Sequence, residues 1–391
     1  MLRNQVLGLL LAAVVFGVAL PAPPLATAPG ATENLLANGD VEAPLAGHPW
    51  MPAGWDTSIS GLPSVFFGRD SFLVHGGQFA LNVANASMLF PMSHNWRQEI
   101  LVTPDMWGKD AVLSVWSRNN GVEGRGYVLL QAYRDTLSKM AKVWNVEREE
   151  AQRRLGINKA DDPLIDFAWR RVSFSEPETD WVRRDLRVFI APSTNVLFVR
   201  LGINGTGQVL FDDAQLTIEP AKPPAPAPLM TNLLADPGFE GTGDEWEFST
   251  PPFLNLFVGI VKDVARTGGQ SVGIWGGSGS PVKARAGACQ VLDARNLQGK
   301  RVRLTSHVKT DSLRGLAYIK LYANTLHGVE HPPTPKQFSM NNDWTATSLE
   351  MDVPEDTYAL WVWSVLAVPV PGKAWFDDME LVVLGPATGT P

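Results

Sequence analysis

The chain has 391 residues, 45% of them hydrophobic, with 35 Gly, 30 Pro and a net charge of -7. That length suits about two or three domains, and dense Gly and Pro with little helical periodicity point to an all-β protein. The acidic balance argues against a nucleic-acid binder, which needs a basic surface, and the lone Cys289 excludes a disulfide framework or a cysteine metal site.

Residues 1–31 read as a signal peptide and leader. Arg3 precedes an apolar run over 6–20 that is short for a spanning helix, and Ala26-Thr27-Ala28 offers a cleavage site. The expected location is secreted, periplasmic or otherwise extracellular, with an uncleaved N-terminal anchor as the alternative. From there the sequence is written twice. "TENLLANGDVE" (32–42) returns as "TNLLADPGFE" (231–240), and "HGGQFALNV" (75–83) as "TGGQSVGIW" (267–275). "RGYVLLQAYRDT" from Arg125 returns as "RGLAYIKLYANT" from Arg314, and the closing "GQVLFDDAQL" (207–216) as "GKAWFDDMEL" (372–381). The order is the same throughout. A first module therefore spans 32–219 and a second 231–384, joined by a Pro-rich linker over 220–230 and followed by a tail over 385–391. The linker composition predicts an extended polyproline II spacer.

Most segments alternate with period two, as half-buried strands do. In the first copy Tyr127, Leu129, Gln131 and Tyr133 share one face, and Val128, Leu130 and Ala132 the other. In the second, Tyr318, Lys320 and Tyr322 stand opposite Ala317, Ile319 and Leu321. The small aliphatic faces suit sheet-on-sheet packing. Several such strands per copy predict two tandem jelly-roll β-sandwiches. The outward faces collect candidate ligand residues: Trp116, Arg118, Tyr127, Gln131, Tyr133 and Arg200 in the first copy, His307, Lys309, Tyr318, Lys320 and Tyr322 in the second. Aromatic faces with polar neighbours are what sugars stack on; core or rim packing is the plainer reading of each residue alone. Trp361 and Trp363 are assigned to the core side of their strand.

A segment over about 136–168 interrupts the first copy and has no counterpart in the second. It reads as a helical insertion. Asn145 serves as N-cap, Glu147, Glu149 and Glu150 fall in the first turn, Arg153 and Arg154 in the last, and Gly156 stops the helix. It is either a decorated loop or a flap over one end of the sandwich. The six His show no metal-ligand spacing. "WGGSGSP" (275–281) reads as a loop rather than a nucleotide site, and "DDPLID" (161–166) as an exposed acidic turn.

The openings "NLLANGDVE" and "NLLADPGFE", the central "GGQ", Trp181 and Trp344 before the penultimate strands, and the closing "FDD" together resemble carbohydrate-binding modules of families 4, 9 and 22, within the galactose-binding-like jelly rolls. The resemblance covers nearly all of both copies. It implies polysaccharide or cell-surface glycan as partner, no catalysis, and a calcium ion tying first strand to last. Carried over by position, the calcium ligands would be Glu42 with Asp212, and Glu240 with Asp377. Carboxylates plus carbonyls are the right chemistry for that ion. The plainer reading of "FDD" is an aspartate pair bonded to a neighbouring turn. A catalytic pair is disfavoured, because adjacent strand residues point to opposite faces, leaving Asp213 and Asp378 as the more exposed members. Two alternatives stand beside glycan binding: an envelope structural or interaction protein, and a secreted enzyme with its site at the insertion.

Overall fold

A computed structural model describes residues 33–389, apart from 59–61, 88–92, 145, 147, 156–163, 251–255, 277–283, 334 and 369–370. The proposed leader, the Asn145 cap, the Gly156 stop and most of "WGGSGSP" fall outside the described residues. Among those described, no helix is long and apolar enough to cross a membrane.

The first module runs β1 (Pro44–Leu45), β2 (His48–Pro52), β3 (Asp56–Thr57), β4 (Val65–Asp70), β5 (Ala80–Asn85), β6 (Ser93–Leu101), β7 (Lys109–Arg134), α1 (Thr136–Trp144), α2 (Arg148–Leu155), β8 (Ile165–Phe174), β9 (Val182–Phe189) and β10 (Val196–Pro220). The long strands β7 and β10 pass through both layers of a sandwich. Their halves near Tyr127 and Val196 pair with each other, with β6 and with β8, while their other halves pair with each other, with β5 and with β9. The front layer is thus ordered β3-β6-β10-β7-β8 and the back layer β4-β5-β10-β7-β9. Leu113, Val115, Val128, Leu130, Leu197, Val199 and Leu201 meet between them as one core, so these parities match the alternation in the sequence.

The second module repeats the plan with β11 (Glu247–Ser249), β12 (Leu256–Val261), β13 (Ser271–Gly276), β14 (Ala284–Asp293), β15 (Lys300–Thr325), β16 (Val329–Glu330), β17 (Phe338–Asp352), β18 (Thr357–Val368) and β19 (Lys373–Pro386). Its front layer is β11-β14-β18-β15 with β16 at the edge, and its back layer is β12-β13-β19-β15-β17. The two tandem jelly-roll β-sandwiches are therefore present, and the insertion in the first is helical. It holds two short helices rather than one. Residues 165–168, assigned to the insertion from sequence, are instead the start of β8, a full edge strand where the second module has only two-residue β16. In α2, Glu150 pairs with Arg153 at 2.6 Å and Arg154 at 2.8 Å, the spacing that brings helix side chains together.

The linker is pinned rather than a free spacer. Lys222 donates its backbone N–H to Asp110, Asn296 donates to the Ala225 carbonyl, Ala227 is buried in the second core, and Leu229 bridges Val383.

Candidate functional site

The repeated loop closures have one construction. In the first copy Glu42 accepts the backbone N–H groups of Gln78 at 2.7 Å and Phe79 at 3.0 Å, and Asp212 those of His75 at 2.9 Å and Gly76 at 3.1 Å. In the second, Glu240 accepts from Gly269 and Gln270, and Asp377 from Arg266 and Thr267. Gly77 and Gly268 have φ of +59° and +62°, and a Cβ at either would fall within about 2 Å of the glutamate oxygen, which is why the loop is written with glycine. The second aspartate of each pair, Asp213 and Asp378, takes φ of 47° and 49° at a strand bulge, a conformation Asp tolerates. Asp213 meets His75 Nδ1 at 2.6 Å, and Asp378 meets Arg266 at 2.5 Å. The four residues expected to ligate calcium are thus brought to one loop per module, bonded to N–H donors. Among the described residues no group of three or more His, Cys, Asp or Glu is gathered as a metal site.

The candidate ligand residues do not form one face. Trp116 and Arg118 lie on the half of β7 in the back layer, and His307 and Lys309 on the matching half of β15. Trp116 stacks on His75 with centroids 4.0 Å apart, and Lys309 pairs with Asp343 at 2.8 Å. Burial, then the nearby Arg266, push the His307 pKa down. Tyr127, Gln131, Tyr133 and Arg200 lie on the outer face of the front layer instead, on the opposite side of the sandwich.

Three of those four are buried. Tyr133 packs with Val196 and Phe198, and Gln131 donates to Asp166, whose pKa burial raises to about 6. Tyr127 contacts Ser93 and lies under the Arg171 guanidinium, 4.2 Å from its ring centroid. Arg200 is half-buried over Phe198 at 4.3 Å. The cover comes partly from the second module. Arg125 donates to the carbonyls of Thr242, Gly243 and Trp246, and Arg171 pairs with Glu247. The first module's front face is a docking face as much as an open one.

In the second module the front face carries an aromatic platform. Tyr322, Trp361 and Trp363 have parallel rings: 5.7 Å and 6° between the first two, 6.1 Å and 11° between the two indoles. Lys320 sits 4.4 Å over the Tyr322 ring, and His331 lies 5.6 Å from it. Burial, then the charge of Arg285, lower the Lys320 pKa; burial, then Lys320, lower that of His331. Tyr318, on the same strand face, is buried. Trp361 and Trp363, expected on the core side of β18, lie on its other face: the inward residues are Leu360, Val362 and Leu366, and Trp361 is buried at the module junction instead. The signal was in the repeat. "VLFVRLG" aligned with "ALWVWSV" sets Leu197 on Leu360, so Phe198 and Arg200 correspond to Trp361 and Trp363. Trp169 of β8, also missed, reaches across from the first module to Trp361 at 6.2 Å, with Cys289 and Val291 beside them.

No family model and no curated protein matches this sequence. Among solved structures, the chain is similar to the N-terminal CBM22-1–CBM22-2 tandem domain of Paenibacillus barcinonensis Xyn10C, at 11% identity and a TM-score of 0.32, covering 92% of this chain and 100% of that one. It is similar over 43% of its length to the C-terminal family 22 carbohydrate binding module of Clostridium thermocellum Xyn10B, with 18% identity, a TM-score of 0.31 and 100% of that chain covered. A family 16 carbohydrate binding module matches 47% of this chain and 99% of its own, at 14% identity and a TM-score of 0.30.

Proposed function

We propose that this is an exported, non-catalytic protein that binds polysaccharide or cell-surface glycan. The observation that carries the reading is the pair of partly exposed rings Tyr322 and Trp363 on an outward sheet face, backed by the parallel, buried Trp361 and edged by Lys320, Arg285 and His331. Flat aromatic faces contact the C–H surfaces of sugar rings, and the polar edge fixes orientation. Arg200, with Arg97 and Glu99 beside it on the neighbouring strand, is the half-buried part of the first module's front face, and it supplies polar contacts rather than stacking. Tyr127, Gln131 and Tyr133 support that face from within.

Affinity electrophoresis through gels containing soluble xylan, mixed-linkage glucan or mannan tests the reading. The wild-type chain is retarded by at least one of them, and Trp363→Ala removes the retardation while the protein stays folded. No retardation in any gel, together with no signal on an array of cell-surface glycans, overturns it. A structural or interaction role is the second reading, favoured by the extent of sheet face buried at the module junction. It gains ground if the wild type binds no glycan.

A further inference from the structure

The junction between the modules encloses a cleft of about 430 Å³, within the range of about 300–1,000 Å³ typical of small-ligand sites. One wall is Trp169, Arg170 and Arg171 of β8; the other includes Glu245, Asp293 and Asn296 of the second module. Neither module forms it alone. We propose that this cleft is a carbohydrate subsite, continuous with the aromatic platform, that takes a neutral sugar residue of the same chain bound by Tyr322 and Trp363. The proposal rests on the glycan-binding reading.

Three observations carry it. Trp169 links the two places: its ring packs on Trp361 at 6.2 Å and also lines the cleft, and it is partly rather than fully buried. It therefore extends the row of rings from the platform into the cleft. Arg171, whose side chain is only 7% exposed, lines the same space and is held by Glu247 as a fixed polar wall. The charges are balanced. Arg171 pairs with Glu247, and Arg295 holds Asp293 at 2.6 Å. Arg170 donates to the Val291 carbonyl at 2.5 Å, opposite the exposed Glu245. A cleft with paired charges, an amide and an indole suits a polyhydroxyl ligand without net charge better than a uronate or a phosphate.

The geometry gives a length-dependent signature. Short oligosaccharides are satisfied by the platform alone; longer ones reach the cleft and gain affinity from it. Isothermal titration of the full chain with β-1,4-linked gluco- and xylo-oligosaccharides, from disaccharide to hexasaccharide, reads this out. The expected gain on lengthening is about tenfold or more, the scale of one good additional contact. Trp169→Leu keeps the junction apolar, and Glu245→Ala alters an exposed rim residue. Either abolishes most of that gain, and Glu245→Ala, which lies off the platform, leaves the affinity for the shortest bound ligand unchanged. Hydrogen exchange of 289–297 slows on hexasaccharide binding in the wild type and not in Trp169→Leu. Length dependence that survives both substitutions, or a bound hexasaccharide that leaves exchange at 289–297 unchanged, overturns the junction subsite while the platform reading stands. Failure of every oligosaccharide to bind the wild type, with Trp363→Ala indistinguishable from it, overturns both.

Discussion

Trp361 and Trp363 stand two positions apart on one face of β18, yet they sit in different surroundings. Trp361 is 8% exposed and packs against Trp169, whereas Trp363 is half-buried. Their substitutions separate accordingly. Trp361→Ala opens a cavity at a packed junction and costs about 3–5 kcal/mol of stability, read as a fall in denaturant midpoint. Trp363→Ala shifts stability by on the order of 1 kcal/mol or less and acts on glycan binding. Asp166 poses a different question. Burial raises its pKa to about 6 despite a hydrogen bond from Gln131 and the charge of Arg200. The folded pKa thus exceeds the unfolded value of about 3.9, so between those values the folded state binds more protons. Its contribution to stability is full at low pH, falls as pH rises from about 4 to about 6, and is flat above that. Asp166→Asn keeps the acceptor oxygen for Gln131 and removes the charge. The unfolding free energy of the variant, read from denaturant midpoints, matches wild type near pH 4 and exceeds it above pH 6, by on the order of 2–3 kcal/mol. A variant no more stable than wild type at pH 7.5 contradicts the buried-charge account.

At the scale of elements, the loop closure explains why the two aspartates are written twice. The first accepts backbone N–H groups of the Gly-Gly loop and of its own successor; the second takes a left-handed conformation at a bulge and pairs with the loop side chain. Asp212→Ala or Asp377→Ala strands three buried or half-buried donors, at a cost of about 3 kcal/mol or more, visible as an early unfolding transition of the affected module. Loop N–H groups already satisfy Asp212, Glu240 and Asp377, so adding calcium or a chelator is expected to leave the melting temperature unchanged; a rise with calcium supports the metal reading. Much of this was legible beforehand. Period-two alternation gave the inward residues of β7 and β10 correctly, and the repeat paired each glutamate with its aspartate. What alternation within one strand cannot reveal is which layer that strand has entered. β7 and β15 change layers midway, so Trp116 and Tyr127, both outward, face opposite sides. Likewise the face of β18 was decided by its alignment with β10 rather than by its own composition, in which every residue from Ala359 to Val365 except Ser364 is apolar.

For the whole molecule, the consequential surface is the one between the modules, and it was the least legible. A repeat describes what each copy does alone, whereas β8 belongs only to the first copy and works on the second. Covalently linked domains usually move relative to one another unless the interface is extensive and apolar. Here Trp169 packs on Trp361, Phe189 stacks on Tyr358 at 5.9 Å, and the Arg295 guanidinium lies 4.0 Å over Phe189. Arg134 reaches the Leu326 carbonyl, Asn324 the Asp166 carbonyl, and Arg125 three carbonyls of the loop before β11. With the linker pinned at Asp110 and Asn296, the modules are expected to behave as one body, so the proposed glycan site is one composite surface rather than two independent sites on a tether. Calorimetry therefore shows a single unfolding transition for the wild type. The double substitution Arg125→Ala with Tyr358→Ala removes three donated hydrogen bonds and one ring stack, on the order of 3 kcal/mol or more of coupling, without touching Trp169 or the platform. It splits the transition in two and broadens the interparticle distances seen by small-angle scattering. A wild type that already melts in two independent steps, unaltered by the double substitution, shows that the junction does not couple the modules.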